Sequence, residues 1–173
     1  CSGLWFDPTL EKVLVRHSTG GLSSWNGSTL TTLTEQSAPL TYAVNWDRSK
    51  VFFRADLETL SSQLHVWDFA SETVVEVESG ENASQVVASQ TADSIAFMSL
   101  LLSTDPQDNC GGYSCDQRLH FISNSRTTTK PRLIARDADR VLALGEDYIF
   151  FITEEFEGKS LYLGRSRQDA TSH

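Results

Sequence analysis

One short phrase recurs four times along the chain. GLSSW (Gly21 to Trp25), QLHVW (Gln63 to Trp67), RLHFI (Arg118 to Ile122) and SLYLG (Ser160 to Gly164) align on Leu22, Leu64, Leu119 and Leu161, spaced 42, 55 and 42 residues apart. Recurrence at a period of this size marks a repeat architecture, in which a unit that cannot bury its apolar faces alone stacks on its neighbours. Three further phrases keep the same order around each anchor. KVLVR, KVFFR, SIAFM and YIFFI precede the anchors, and GLWFD, LTYAVNWD, SQVVASQ and RVLALGED precede those in turn. TLTTLT, TVVEV and PRLIA follow the first three anchors, while RSRQDATSH marks the last outer strand poorly.

Each phrase is a short β-branched or aromatic run bounded by turn residues, so each unit reads as four antiparallel strands. The expected fold is all-β, a propeller of about four four-stranded blades covering residues 1–36, 37–80, 81–137 and 138–173 of a single domain, because radially stacked sheets cover one another and leave short edges. An antiparallel sandwich or barrel of similar strand count is the alternative, since regularly spaced short strands serve those folds too. Four blades leave two arrangements: a small closed ring, or half of a larger ring completed by another copy or another chain.

The strand order, together with phrases such as LHVWDFASETVVEV (Leu64 to Val77) and its Trp67-Asp68 pair, resembles the TolB-like and WD-repeat propeller families over nearly the whole chain. The resemblance implies the propeller fold. It names no activity.

The middle spacing exceeds the others because it contains STDPQDNCGGYSCD, from Ser103 to Asp116. Cys110 and Cys115, separated by the flexible GGYS, are expected to form a disulfide, which persists in an oxidising compartment. Half a zinc site is the rival, with His120 as the nearby third ligand and no fourth. A connection this long usually binds something or is disordered, so Asp105, Asp108, Tyr113 and Asp116 are the candidate contacts for a partner protein. Calcium could use the same carboxylates, although the spacing is not that of an EF-hand. Beginning Cys1-Ser2-Gly3, the sequence resembles a mature bacterial lipoprotein with Cys1 as the lipidated residue, and acyl chains add roughly 0.8 kcal/mol of membrane affinity per buried methylene. Two sequons at Asn26 and Asn82 would suit a secreted eukaryotic protein instead.

Other chemistry is thinly represented. A net charge of −9 opposes a phosphate backbone, so nucleic acid is not an expected partner. No G-x-S-x-G elbow or phosphate-cradling glycine loop is present. His65 and His120 hold the same place in successive units, which points to structure, and Asp47, Asp93 and Asp147 sit where tight turns are expected. Trp5, Trp25, Trp46 and Trp67 read as packing between blades, with a sugar-stacking platform as the sharper alternative. No cofactor and no catalytic residue is assigned. The expected function is a non-catalytic protein-binding or assembly module of the cell envelope, lipid-anchored at a periplasmic or extracellular membrane face. The alternative is a carbohydrate-active hydrolase or lyase whose carboxylates gather at one end of the ring.

Overall fold

A computed structural model describes residues 3–18, 21–34, 42–55, 63–101, 116–146, 148–155 and 158–165. Its strands form four sheets in chain order, each with its strands laid down consecutively and paired antiparallel. The first contains β1 (Gly3–Phe6), β2 (Val13–Arg16), β3 (Leu22–Trp25) and β4 (Leu30–Thr34), and the second β5 (Tyr42–Val44), β6 (Lys50–Ala55), β7 (Gln63–Asp68) and β8 (Thr73–Glu81). The third contains β9 (Gln85–Ala88), β10 (Ile95–Leu101), β11 (Asp116–Ile122) and β12 (Arg132–Arg136). The fourth has three strands among the described residues, β13 (Ala138–Leu144), β14 (Tyr148–Glu155) and β15 (Gly158–Arg165). No helix occurs among the described residues. Cys1, Asp105, Asp108, Cys110, Tyr113, Cys115 and Asp147 lie outside them, as does RSRQDATSH, while the backbone of Asp116 opens β11 opposite Leu101.

The turn that joins the first two strands of a sheet is built alike in three of them. Asp7, Asn45 and Ser89 each leave the first strand and accept a backbone N–H with a side-chain oxygen: Lys12 N–H to Asp7 Oδ1 at 2.9 Å, Lys50 N–H to Asn45 Oδ1 at 2.8 Å and Thr91 N–H to Ser89 Oγ at 3.2 Å. Such side-chain mimicry of a backbone turn satisfies donors that the strand ladder cannot reach.

Alternation along the strands then divides each sheet into two faces. On the second strand, Val51, Ile95 and Ile149 turn toward the preceding sheet, and Leu14, Phe52 and Ala96 toward the following one. The anchor leucines Leu22, Leu64 and Leu119 share the latter face and are fully buried. Trp5, Leu14 and Leu22 of the first sheet pack on Val51, Phe53 and Trp67 of the second. Phe52, Leu64 and Val66 of the second pack on Val86, Ile95 and Phe97 of the third. Ala96, Met98, Leu119 and Phe121 of the third meet Val141, Ile149 and Phe151 of the fourth. Four sheets thus share three buried interfaces, and among the described residues no buried cluster joins the fourth sheet to the first. Each outer strand pair slips in register beside its anchor leucine, between Leu22 and Ser23, around Leu64, and between Leu119 and His120. In the first and third sheets the slip is a β-bulge of one extra residue on the outer strand, and in the second it is a longer irregularity between Glu76 and Glu81.

Candidate functional site

Three groupings could carry function: a buried serine and histidine, the polar residues at the turn end of the sheets, and the outer faces of the first and last sheets. In the third sheet His120 Nε2 lies 3.0 Å from Ser99 Oγ, and its ring stacks on Phe97 with centroids 4.8 Å apart and planes 11° from parallel. Burial, aided by the positive charge of Arg118, pushes the His120 pKa down to about 4, so the ring is neutral at neutral pH. A neutral imidazole beside a hydroxyl is the first half of a nucleophile-activating pair. Both residues are only 5% exposed, however, with the imidazole sandwiched in the contact between sheets, and a substrate carbonyl has no approach to the serine. His65 occupies the matching place in the second sheet, stacked on Phe53, with its pKa lowered by burial and partly restored by Glu76. Both histidines face away from the anchor leucine beside them and toward the preceding sheet.

At the turn end, polar side chains tie each sheet to the next. Lys12 Nζ donates to Phe69 O at 2.9 Å and pairs with Glu72 at 2.7 Å, joining the first and second sheets. Asp47 meets Arg126 at 3.1 Å across the second and third, and Ser94 Oγ donates to Gly145 O at 2.6 Å across the third and fourth. Asp47 is also the centre of its own turn, where Oδ1 accepts from Ser49 N–H, Ser49 Oγ and Asn45 Nδ2. Burial would raise the Asp7 pKa, but hydrogen bonds from the Thr9 side chain and from the backbone N–H groups of Lys12, Thr9 and Glu11 outweigh it and hold the carboxyl below its ordinary value. Asp7, Asp47 and Glu72 are therefore engaged in holding turns and joining sheets, whereas the buried Asp93 Oδ1 has no hydrogen-bond partner among the described residues. Among the described residues no cluster of three or more His, Cys, Asp or Glu could hold a metal ion.

The third grouping is apolar. On the first sheet, the face turned away from the second carries Phe6, Val13, Trp25 and Leu30 in one cross-strand row, with Leu4 and Val15 paired in the next. Leu4, Phe6, Trp25 and Leu30 are exposed there. At the other end, Phe150 and Ile152 turn away from the third sheet, and Tyr148 joins them, its exposed ring edge-on to Phe150 at 5.6 Å. Gly145 makes room for that ring, since a Cβ there would collide with Tyr148.

Packing between blades is the expectation for all four tryptophans. Trp5 and Trp67 are there, but Trp25 and Trp46 are exposed.

No family model matches the sequence, and no curated protein sequence matches it either. Among solved structures, a prolyl endopeptidase is similar over 95% of this chain at 16% identity and a TM-score of 0.54. An acylaminoacyl peptidase is similar over 94% at 13% identity, also with a TM-score of 0.54. TolB from Acinetobacter baumannii aligns over 92% at 12% identity with a TM-score of 0.49. The chain spans 28%, 30% and 37% of the lengths of those three proteins, respectively. At such identities the likeness is one of fold, and with four consecutive antiparallel sheets packed face on face the fold is a β-propeller.

Proposed function

We propose that this chain is a non-catalytic protein-binding or assembly module of a cell envelope. The observation that carries the reading is the apolar outer face of the first sheet, where Leu4, Phe6, Trp25 and Leu30 are all exposed: contiguous exposed apolar surface on a folded domain marks a site of contact with another macromolecule. The polar residues point the same way, because Ser99 and His120 are enclosed and the carboxylates of Asp7 and Asp47 hold turns. The envelope address rests on Cys110 and Cys115, whose pairing would suit an oxidising compartment. The loop that contains them supplies a second contact, through Asp105, Asp108, Tyr113 and Asp116, where a short disulfide ring would lower the entropy lost on binding.

Site-specific photocrosslinking tests the faces. A benzophenone amino acid in place of Leu4 or Tyr148 should give protein adducts in native cells, whereas the same probe at exposed Glu78, on the outer strand of the second sheet, should not. Absence of protein adducts from both faces would reject the reading. Removing residues 108–115, which spares the β11 pairing of Asp116 with Leu101, should cost partner co-purification without changing the β-sheet circular dichroism.

A further inference from the structure

Two contacts between sheets carry the same pair of polar residues and treat it differently. Arg16 follows Leu14 by two on β2, and Arg54 follows Phe52 by two on β6, so both turn toward the next sheet. His65 and His120 stand in the facing sheets, each one place after an anchor leucine and each turned back toward its predecessor. Between the second and third sheets both residues have acceptors: Arg54 Nη1 donates to Ala83 O at 3.2 Å, and His120 Nε2 lies 3.0 Å from Ser99 Oγ. Between the first and second sheets neither does. Arg16 Nε and His65 Nε2 are buried without a hydrogen-bond partner, and His65 is only 7% exposed. The register gives one reason, since the place of Ser99, two residues beyond the phenylalanine that pairs with the histidine, is held by Ala55, which has no hydroxyl. A third donor in the same contact, Trp67 Nε1, is also buried without a partner. Leaving a buried donor unpaired costs more than a hydrogen bond returns, so three in one contact mark a place that an acceptor from outside would complete.

We propose that the contact between the first and second sheets, at the end where β2 leads into β3, binds a monocarboxylate that carries a neutral carbonyl oxygen, the chemistry of a peptide C-terminus. Arg16 takes the carboxylate, because a guanidinium presents a fork of donors that matches its two oxygens. Its Nε is enclosed while the residue as a whole is half-buried, so a ligand reaches the guanidinium from the mouth of the contact. His65 takes the carbonyl oxygen through Nε2–H. Burial lowers its pKa, and the ring donates as a neutral group. A second carboxylate is disfavoured there, since Glu76 stands across from His65 on β8 and would repel it. The site lies between two sheets of the same chain. It therefore goes beyond the reading of the chain as an assembly module and is independent of what covers the outer face of the first sheet.

Three small probes separate the two roles. N-acetylglycine has both the carboxylate and the neutral carbonyl, acetate has the carboxylate alone, and N-acetylglycinamide has neutral carbonyls alone. Titrated into isotope-labelled chain and followed by NMR at the Arg16 Nε–Hε and His65 ring signals, N-acetylglycine should shift both saturably. Acetate should shift Arg16 alone and bind more weakly, and N-acetylglycinamide should shift neither. Arg16→Gln should weaken N-acetylglycine binding about tenfold or more, as loss of a charged hydrogen bond does. Arg54→Gln should leave it unchanged, because Arg54 is already held by Ala83 O. Ala55→Ser gives His65 the hydroxyl that Ser99 gives His120, and should weaken N-acetylglycine about threefold to tenfold while sparing acetate. Circular dichroism and a cooperative melt check that each variant folds; Arg16→Lys, which keeps the charge and loses the fork, repeats the test if Arg16→Gln does not. Absence of saturable shifts with N-acetylglycine overturns the proposal. So does binding that Arg16→Gln leaves intact, and so does an affinity that acetate or N-acetylglycinamide equals.

Discussion

The covered front of the second sheet and the bare front of the first are near copies. In one, Val51 pairs across the strand with Trp67; in the other, Val13 pairs with Trp25. Trp67 is 2% exposed and Trp25 39%. Residue type and register are the same, so the difference lies in what stands opposite: the first sheet covers Trp67, and nothing among the described residues covers Trp25. In a repeat protein, an exposed aromatic at a position that is buried in the next unit reports a missing neighbour.

The largest effect that can break this comparison is truncation of the two tryptophans. Trp67→Ala should lower the unfolding free energy by about 3–5 kcal/mol, as removal of a fully buried large aromatic does. Trp25→Ala, measured in dilute solution where the chain is alone, should stay within about 1 kcal/mol of wild type. Chemical denaturation of both variants, followed by circular dichroism, decides the matter, and equal losses would mean that the outer face is covered within a single chain.

A smaller effect sharpens it through two glycines. A Cβ at Gly80 would sit 2.7 Å from Leu64 Cβ and 2.9 Å from Val77 O, atoms fixed in the buried contact between the second and third sheets. Gly80→Ala should cost about 1–3 kcal/mol, in the manner of overpacking. At Gly145 the obstacle is the ring of Tyr148, which lies on the uncovered face and can swing outward. Gly145→Ala should therefore be close to neutral by thermal melting, helped by the lower entropy that alanine gives the unfolded chain.

The smallest effect near neutral pH comes from His120, in a covered contact. Its pKa falls from an ordinary 6.5 to about 4 in the folded chain. Above pH 6.5 both folded and unfolded states are neutral and no stability is lost. As pH falls through 6.5 the unfolded chain takes up a proton that the folded chain refuses, and stability declines until about pH 4. His65 is shifted the same way, so His120→Gln should remove part of the slope of melting temperature against pH between 6.5 and 4, leaving the remainder to His65. A slope unchanged by His120→Gln would place the titration elsewhere.

Much of the fold is legible in the sequence because the cues are local. Alternating apolar residues and a turn residue before each run locate strands such as β2, β6, β10 and β14 without knowledge of their partners. The turn-forming side chains were legible less well. Asp47 is legible as a turn residue and its Oδ1 does accept the Ser49 N–H, but Asp93 Oδ1 finds no partner among the described residues, and the oxygens of Asp7, Asn45 and Ser89, at the exit from the first strand, are the ones shared by three turns. Their signal is positional, the first polar residue after the apolar run, and it is lost when carboxylates alone are sought. β8 extends to Glu81, well beyond the TVVEV run, because Glu81 pairs with Gln63 past a register slip that no composition reveals. The outer faces could not be recognised from the sequence at all, since their residues are those of any interior blade and exposure depends on the neighbour.

The register slips beside Leu22, Leu64 and Leu119 have a consequence for geometry on a larger scale. A register slip of this kind adds right-handed twist to the strands that contain it, and here it falls in the outermost pair of the first three sheets, at the greatest distance from the axis about which the sheets are arranged. Twist at that radius widens the outer rim of a blade more than its inner edge, so each sheet becomes a wedge. A set of wedges closes a circle only when their angles sum to a full turn. With a register slip beside the same leucine in three successive sheets, that outward twist is a repeated property of the sequence, written into each unit at its rim.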